Sequence, residues 1–306
     1  MIQGDVNLMS NPTQALIDFK PRHDFLVCFD SDGCVFDAME IKHKECFAPN
    51  FIKHWNLQPY AKYAREVWEF VNLYSVTRGC NRFFAVIDAL ELLATRPEAI
   101  ARGYRAPDLS SLKEWVAHEN KLGNPALEKA VAASGDPILA QALRWSNGVN
   151  ESIADLVKNV PPFLHVRETI EKAGVTADLM VVSATPYEAL AREWSEHGLF
   201  DFMAVVAGQE VGSKKEQIRL TKNGRYADDH VLMVGDALGD LEAAKANGVL
   251  YYPINPGQED ASWQRLFAEG LDRLFSGTFA SSFQEQIIAE FKACLPDSPP
   301  WETGLN

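Results

Sequence analysis

The stretch Phe29-Asp-Ser-Asp-Gly-Cys34 closes an apolar run and holds two acidic residues at alternate positions. Side chains two apart on an extended backbone share a side, so Asp30 and Asp32 converge where the run stops. Carboxylates that close repel and do not both stay ionised unaided, which leaves a shared proton or a bound cation, the cation being the more economical account. Taken alone, Asp32-Gly33 is equally well a turn dipeptide. Other segments add polar groups at comparable places. Ser183 ends the run Leu179 to Val182, Asp236 follows Val231 to Gly235 with Asp240 four residues on, and Lys214 and Lys215 open the helix signal Ser213-Lys-Lys-Glu216. Positive charge at a helix start opposes the backbone dipole. The lysines are therefore either a solvated pair or the kind of local misfit expected where function compensates.

Five apolar runs supply the frame: Phe25 to Phe29, Leu179 to Val182, Met203 to Val206, Val231 to Val234 and Val249 to Tyr252. They are continuous rather than alternating in polarity, as strands covered on both faces are, so they predict a buried parallel sheet. Helix punctuation lies between them. Thr185-Pro-Tyr-Glu188 and Ser213 to Glu216 fit capping boxes, and Gly174, Gly198 and Gly248 stand where a helix end wants positive φ. From Ala177 onward strand and helix alternate, which is the pattern of a doubly wound α/β domain. In such a sheet ligands bind at the carboxyl ends of the strands, where Asp30, Ser183 and Asp236 fall.

Residues 38–176 hold no comparable strand signal and read as a helical insertion large enough to fold as a second domain over the sheet's loops. The stripes Tyr60, Ala64, Val67, Trp68, Val71, Tyr74 and Phe47, Phe51, Trp55 are its expected core. The main domain is then 1–37 with 177–306. Two helices beyond Tyr252, near 259–275 and 282–294, are expected to cover an edge or face of the sheet.

The 306 residues carry a net charge of −13, which disfavours nucleic acid as a partner, since such binding rests on Lys and Arg neutralising phosphates. No apolar run reaches membrane-spanning length, and Met1 to Asp24 lacks the blocks of a signal peptide. Five cysteines without a C-x-x-C indicate neither a disulfide framework nor a zinc site, and no histidine spacing suggests a metal site. A cytoplasmic protein with reduced thiols, bound to no membrane, is expected.

Four of these segments, in order, resemble the signatures of the haloacid dehalogenase-like hydrolase superfamily: Asp30-Ser-Asp32-Gly, Ser183, Lys214 and Gly-Asp236-x-x-x-Asp240. The insertion is similar in position to the family's C1-type helical cap, although larger than common versions. The resemblance implies a Rossmann-like core, an aspartate nucleophile and Mg²⁺. Mg²⁺ suits the residues too, because it prefers oxygen and takes one or two carboxylates plus substrate phosphate. Asp30 and Asp236 are the expected side-chain ligands, and the family pattern adds the Asp32 carbonyl and Asp240, the latter most often through water. The implied function is a phosphatase for a small phosphorylated metabolite, with Asp30 as nucleophile, Asp32 as acid and base, and Ser183 and Lys214 holding the phosphoryl group. A phosphomutase of the same superfamily and a non-catalytic binding protein are the alternatives. Position 34 is Cys where relatives carry Thr or Val, and the lysine signature lacks the usual prolines, which leaves Lys215 as a rival to Lys214. Asp37 matches an acidic position common after the first motif. Arg78, Asn81 and Arg82, grouped around Gly79, are candidates to bind substrate, because arginines grip carboxylate or phosphate bidentately; equally, the arginines cap the preceding helix or pair with surface carboxylates. Neither the leaving group nor the oligomeric state is legible.

Overall fold

A computed structural model of the protein describes residues 12–280 and 282–302, so the polar leader up to residue 11 lies outside the described residues. Its centre is one sheet of five parallel strands: β1 (Phe25–Phe29), β2 (Ala177–Val182), β3 (Val205–Ala207), β4 (Val231–Gly235) and β5 (Leu250–Pro253), in the order β3-β2-β1-β4-β5. Apart from half-buried Phe25, every strand residue is buried, which is why the runs show no alternation. The chain steps outward from β1 to β3, then returns to the far side of β1 for β4 and β5. Neighbouring connections thus leave in opposite directions beside β1, and the carboxyl ends of β1 and β4 are where an open sheet of this kind takes its ligand. The strands begin or end within a residue or two of the apolar runs, and Pro253 extends the last of them.

Five helices of this core position the site or cover the sheet: α1 (Val166–Ala173), α2 (Tyr187–Glu196), α3 (Lys214–Lys222), α4 (Leu238–Ala246) and α5 (Ser282–Ala293). On α1 the buried residues Val166, Thr169, Ile170 and Ala173 recur at helical spacing and form its inner face. The Ser213 hydroxyl accepts the Glu216 amide and starts α3, but Glu216 turns to Arg219, so only half of that box forms. The box expected at Thr185 does not form. α2 begins after Pro186, and the Glu210 carboxylate, 3.2 Å away, accepts its first amide, that of Tyr187. Gly198 and Gly248 take positive φ, whereas Gly174 stays at φ −65°, because α1 ends without a left-handed turn.

A wide π-type turn over Leu266–Gly270 splits the segment expected as one helix near 259–275. α5 covers the open edge of the sheet: the Tyr251 amide of β5 donates to the Gln284 side chain at 2.9 Å, and Phe291 packs against the Tyr251 ring. Satisfying an edge amide in this way removes a template for pairing with another strand.

The described chain forms two compact units. The first holds the sheet and runs to Ala38, then from Asn159 to Cys294; the second is Met39–Lys158 together with the tail from Leu295 onward. This differs from the division expected at residue 176. Val160 and Val166 are buried with the core, and α1 packs on β2, so the return segment belongs to the sheet. The second unit is helical. Trp68 and Trp145 are fully buried, with the Phe47 ring stacked on Trp68 and the Phe51 ring tilted against it. Of the expected stripe Ala64, Val67, Trp68 and Val71 are buried, whereas Tyr74 is exposed and donates its hydroxyl to Glu40 at 2.7 Å. Its longest helix, Pro137–Leu156, has proline in its first turn and Asp136 as cap, accepting the Ile138 and Leu139 amides. Among the described residues no helix is long and apolar enough to cross a membrane.

Candidate active site

Asp30 leaves β1 with its amide donated to the Val234 carbonyl of β4 at 3.0 Å, which sets the end of one strand against its neighbour. Gly33, at φ 78°, turns the chain at once, and its amide returns to the Phe36 carbonyl. Only a residue without Cβ takes that conformation cheaply, so Asp32-Gly33 is a turn; the carboxylates grouped with Asp30 are Asp236 and Asp240, not Asp32. Cys34 is buried, and its thiol reaches the Val234 carbonyl at 3.5 Å as a weak donor. Asp37 is exposed.

Asp236 and Asp240 come from the loop after β4 and the first turn of α4. Each of Asp30, Asp236 and Asp240 is buried, and each offers an oxygen within 4.8 Å of the others. At that separation each pair of charges repels by roughly 3–4 kcal/mol at an effective dielectric constant of ~20. Lys214, the first residue of α3, reaches into the group: its Nζ lies 2.7 Å from Asp30 Oδ2 and 2.6 Å from Asp240 Oδ1. Lys215 is exposed, and its carbonyl accepts the Asn247 side chain. The inward lysine is therefore Lys214.

Asp240 has both oxygens engaged, the second by the Ala237 amide at 3.1 Å, so it holds the lysine and starts α4 at once. Gly235 is required beside it, because a Cβ there would meet the Asp240 carboxyl group inside van der Waals contact. Burial, opposed by Lys214 and reinforced by Asp240 and Asp236, pushes the Asp30 carboxyl well above its ordinary value. Burial works against the Lys214 charge, but Asp240 and Asp30 outweigh it and hold the ammonium above its usual range. One ammonium among three carboxylates leaves an excess of negative charge in a buried, all-oxygen donor set. That set fits a small hard cation such as Mg²⁺.

Ser183 follows β2 and is buried. Its Oγ accepts the Thr185 amide at 3.1 Å, which leaves its one hydrogen for an incoming oxygen. Asp32, half-buried, accepts the Thr185 hydroxyl on Oδ2 at 3.0 Å. Thr185 is a residue that sequence reasoning assigned to a helix cap and so missed.

Gln217, one turn after Lys214 and fully buried, was also missed. Its Nε2 donates to the carbonyls of Ser183, Gly208 and Gly212 at 2.9, 2.9 and 3.0 Å, tying the ends of β2 and β3 to the start of α3. A buried polar residue on the inner face of a short helix was its one trace in the sequence.

The three expected substrate-binding residues lie in the helical unit and are engaged there. Arg78 is buried and donates to the Leu73 carbonyl at 3.0 Å. Asn81 caps the helix Arg82–Leu93 by accepting the Phe83 amide. Arg82 donates through Nη1 to the Ser146 hydroxyl at 3.0 Å and the Asn150 side chain at 2.7 Å, with its guanidinium over the Phe47 ring. Burial lowers it to about 10, so it stays charged at neutral pH. No carboxylate pairs with it among the described residues.

A sequence model of the family described as "Haloacid dehalogenase-like hydrolase" matches residues 114–252, a stretch that carries Ser183, Lys214, Asp236 and Asp240. That stretch of the chain is similar to the family. The match covers just under half of the chain and begins inside the helical unit, so the Asp30 motif lies ahead of it. No curated protein matches the sequence. Similar solved structures include a candidate phosphoglycolate phosphatase from Lactobacillus delbrueckii subsp. bulgaricus. It is 14% identical, over 85% of this chain and all of that one, with a TM-score of 0.48. A haloacid dehalogenase-like family protein from Streptococcus pneumoniae is 13% identical over 78% of this chain and 90% of its own, at a TM-score of 0.42. A candidate hydrolase of the same type from Bacillus subtilis, bound to magnesium, is 15% identical over 75% of this chain and 86% of its own, at 0.40. Asp30, Ser183, Lys214, Asp236 and Asp240 all issue from strand ends or first helical turns, which is what lets distant segments of the chain meet.

Proposed function

We propose that the protein is a Mg²⁺-dependent phosphatase that hydrolyses a small organic phosphate monoester through an aspartyl-phosphate on Asp30. The observation that carries this reading is the convergence of three buried carboxylates, Asp30, Asp236 and Asp240, with half-buried Lys214 bonded to Asp30 and Asp240 and only one positive charge against three acids. Asp30 and Asp236 would hold the cation by their side chains, with the Asp32 carbonyl and Asp240 completing the set. When bound, Mg²⁺ supplies charge that lets a phosphoryl dianion approach carboxylates and steadies its oxygens.

The remaining work falls to the chain. An Asp30 oxygen attacks phosphorus, and the bond from phosphorus to the ester oxygen breaks. That oxygen leaves with a proton from Asp32, which becomes ionised. A water then gives a proton back to Asp32 as its oxygen attacks phosphorus, the bond to Asp30 breaks, and inorganic phosphate departs. Splitting one displacement in two keeps a strong nucleophile at each stage, and a positioned acid and base contributes about 10²–10⁴-fold. Lys214 and the free Ser183 hydrogen hold phosphoryl oxygens where charge collects.

The choice of ester lies outside these residues. Arg82 is the strongest of the helical unit's three candidates, because Ser146 and Asn150 fix one nitrogen and leave the opposite edge without a protein partner among the described residues. Within the helical unit taken by itself, that edge would bind a carboxylate or phosphate group.

A panel of phosphate monoesters assayed for phosphate release with Mg²⁺ and with EDTA tests the reading. Release that needs Mg²⁺ is expected. Equal release in EDTA, or none from any ester, would discard it.

A further inference from the structure

Two features of the loop after β2 have no part in the proposed reaction. The first is that the Thr185 hydroxyl does no capping, because Glu210 serves the first amide of α2 in its place. The second is that this hydroxyl donates to Asp32 Oδ2 at 3.0 Å, across 153 residues of sequence. We propose that Thr185 is a positioning residue for Asp32, holding the plane of its carboxyl group for the proton exchange with the leaving group. This rests on the phosphatase reading.

The physical case begins with the torsion. The terminal torsion of an aspartate is broad, so a hydrogen bond to one carboxyl oxygen narrows the range that the plane of the group explores. A displacement of about 1 Å in a reacting group costs on the order of 10²-fold in rate. Thr185 is a good anchor because its own backbone is fixed on both sides. Its amide donates to Ser183 Oγ at 3.1 Å, and its carbonyl accepts the Gln209 amide at 3.1 Å.

Gly208 closes against it: a Cβ there would come within 2.8 Å of the Thr185 carbonyl and 2.7 Å of the Tyr187 amide. Ser183 in turn donates its amide to Ala207 at the end of β3. The hydroxyl is thus carried by a loop held by β3 on one side and by the Ser183 side chain on the other. The same serine is assigned to the phosphoryl group, so one short segment sets both the acid and a phosphoryl donor.

The balance of the step is unchanged by Thr185. The proton still passes from Asp32 to the ester oxygen as the phosphorus–oxygen bond breaks, and Thr185 keeps its own. What changes is how often Asp32 is aimed. An acid matters most when the leaving oxygen is strongly basic, which gives the test.

Thr185→Val keeps the shape and removes the hydroxyl, and Thr185→Ser returns it. With Mg²⁺, kcat/KM is measured on phenyl phosphate, a poor leaving group, and on 4-nitrophenyl phosphate, a good one. Thr185→Val is expected to lose about tenfold or more on phenyl phosphate and less than about threefold on 4-nitrophenyl phosphate, with most of the loss regained by Thr185→Ser. An equal loss on both esters, no loss, or a serine variant no better than valine overturns the proposal. An Asp30→Asn control separates the two failures. If it is inactive while Thr185→Val ignores the leaving group, the positioning role alone falls. If it retains turnover, the phosphatase reading falls as well.

Discussion

Lys214→Met makes the electrostatics of the site measurable without substrate. The ammonium sits 2.7 and 2.6 Å from oxygens of Asp30 and Asp240. At an effective dielectric constant of ~20, each contact is worth roughly 6 kcal/mol before desolvation. The three mutual repulsions of the carboxylates, at roughly 3–4 kcal/mol each, nearly cancel that attraction. Removing the lysine leaves the repulsions and the burial cost standing, and such a deletion costs ~3 kcal/mol or more. For a unit of this size that is a fall in Tm of roughly 10 °C in Mg²⁺-free buffer.

Mg²⁺ replaces the missing charge, so it should raise the Tm of Lys214→Met by more than that of the wild type, while turnover stays lost. Differential scanning fluorimetry with EDTA and with saturating Mg²⁺ measures all four values. A variant that melts with the wild type in EDTA, or that gains no more from Mg²⁺, would refute the argument that Lys214 offsets an acidic, cation-seeking cluster.

Gln217→Ala should destabilise the core by about 2–4 kcal/mol, since it strips a donor from three carbonyls. Chemical denaturation checks the size, and a change under ~1 kcal/mol would mean that water serves those carbonyls. Gly235→Ala should cost about 1–3 kcal/mol, because its Cβ displaces the Asp240 carboxyl group, and phosphate release should fall with it. Asp30 holds its proton above the usual carboxylate range in the folded state. As pH rises from the ordinary carboxylate value to that raised value, the folded metal-free protein binds more protons than the unfolded chain. Metal-free stability should therefore fall across that window, and Mg²⁺ affinity should rise across it. Calorimetric titration of Mg²⁺ at several pH values reads the second slope directly, and an affinity that falls with pH would contradict it.

The sheet was legible because a buried parallel strand leaves a local trace: Leu179 to Val182 and Val231 to Val234 are apolar without interruption. The strand-end residues were legible for the same reason, since Asp30 and Ser183 stand immediately after such runs and Asp236 one glycine beyond. Helix starts were less so. Thr185-Pro-Tyr-Glu188 has every residue of a capping box, yet a glutamate from another loop, Glu210, takes the cap and frees the threonine for Asp32. A local pattern cannot register a competitor from a later loop, nor the neighbours that turn Gln217 inward. The unit boundary moved for a similar reason, because helical periodicity says which face of α1 is buried but not against what. In the helical unit, Asn81 was legible as a polar residue ahead of an apolar helix, but its capping role and its proposed binding role carry the same signature.

The most direct test of the account is to trap the covalent intermediate. The protein is mixed with Mg²⁺ and 4-nitrophenyl phosphate, quenched in borohydride to reduce any acyl phosphate, digested and mapped by mass spectrometry. Reduction confined to the peptide at Asp30, and lost in Asp30→Asn, is the predicted result. Steady turnover with no reduced carboxyl group, or with the mark at Asp236 or Asp240, would contradict it.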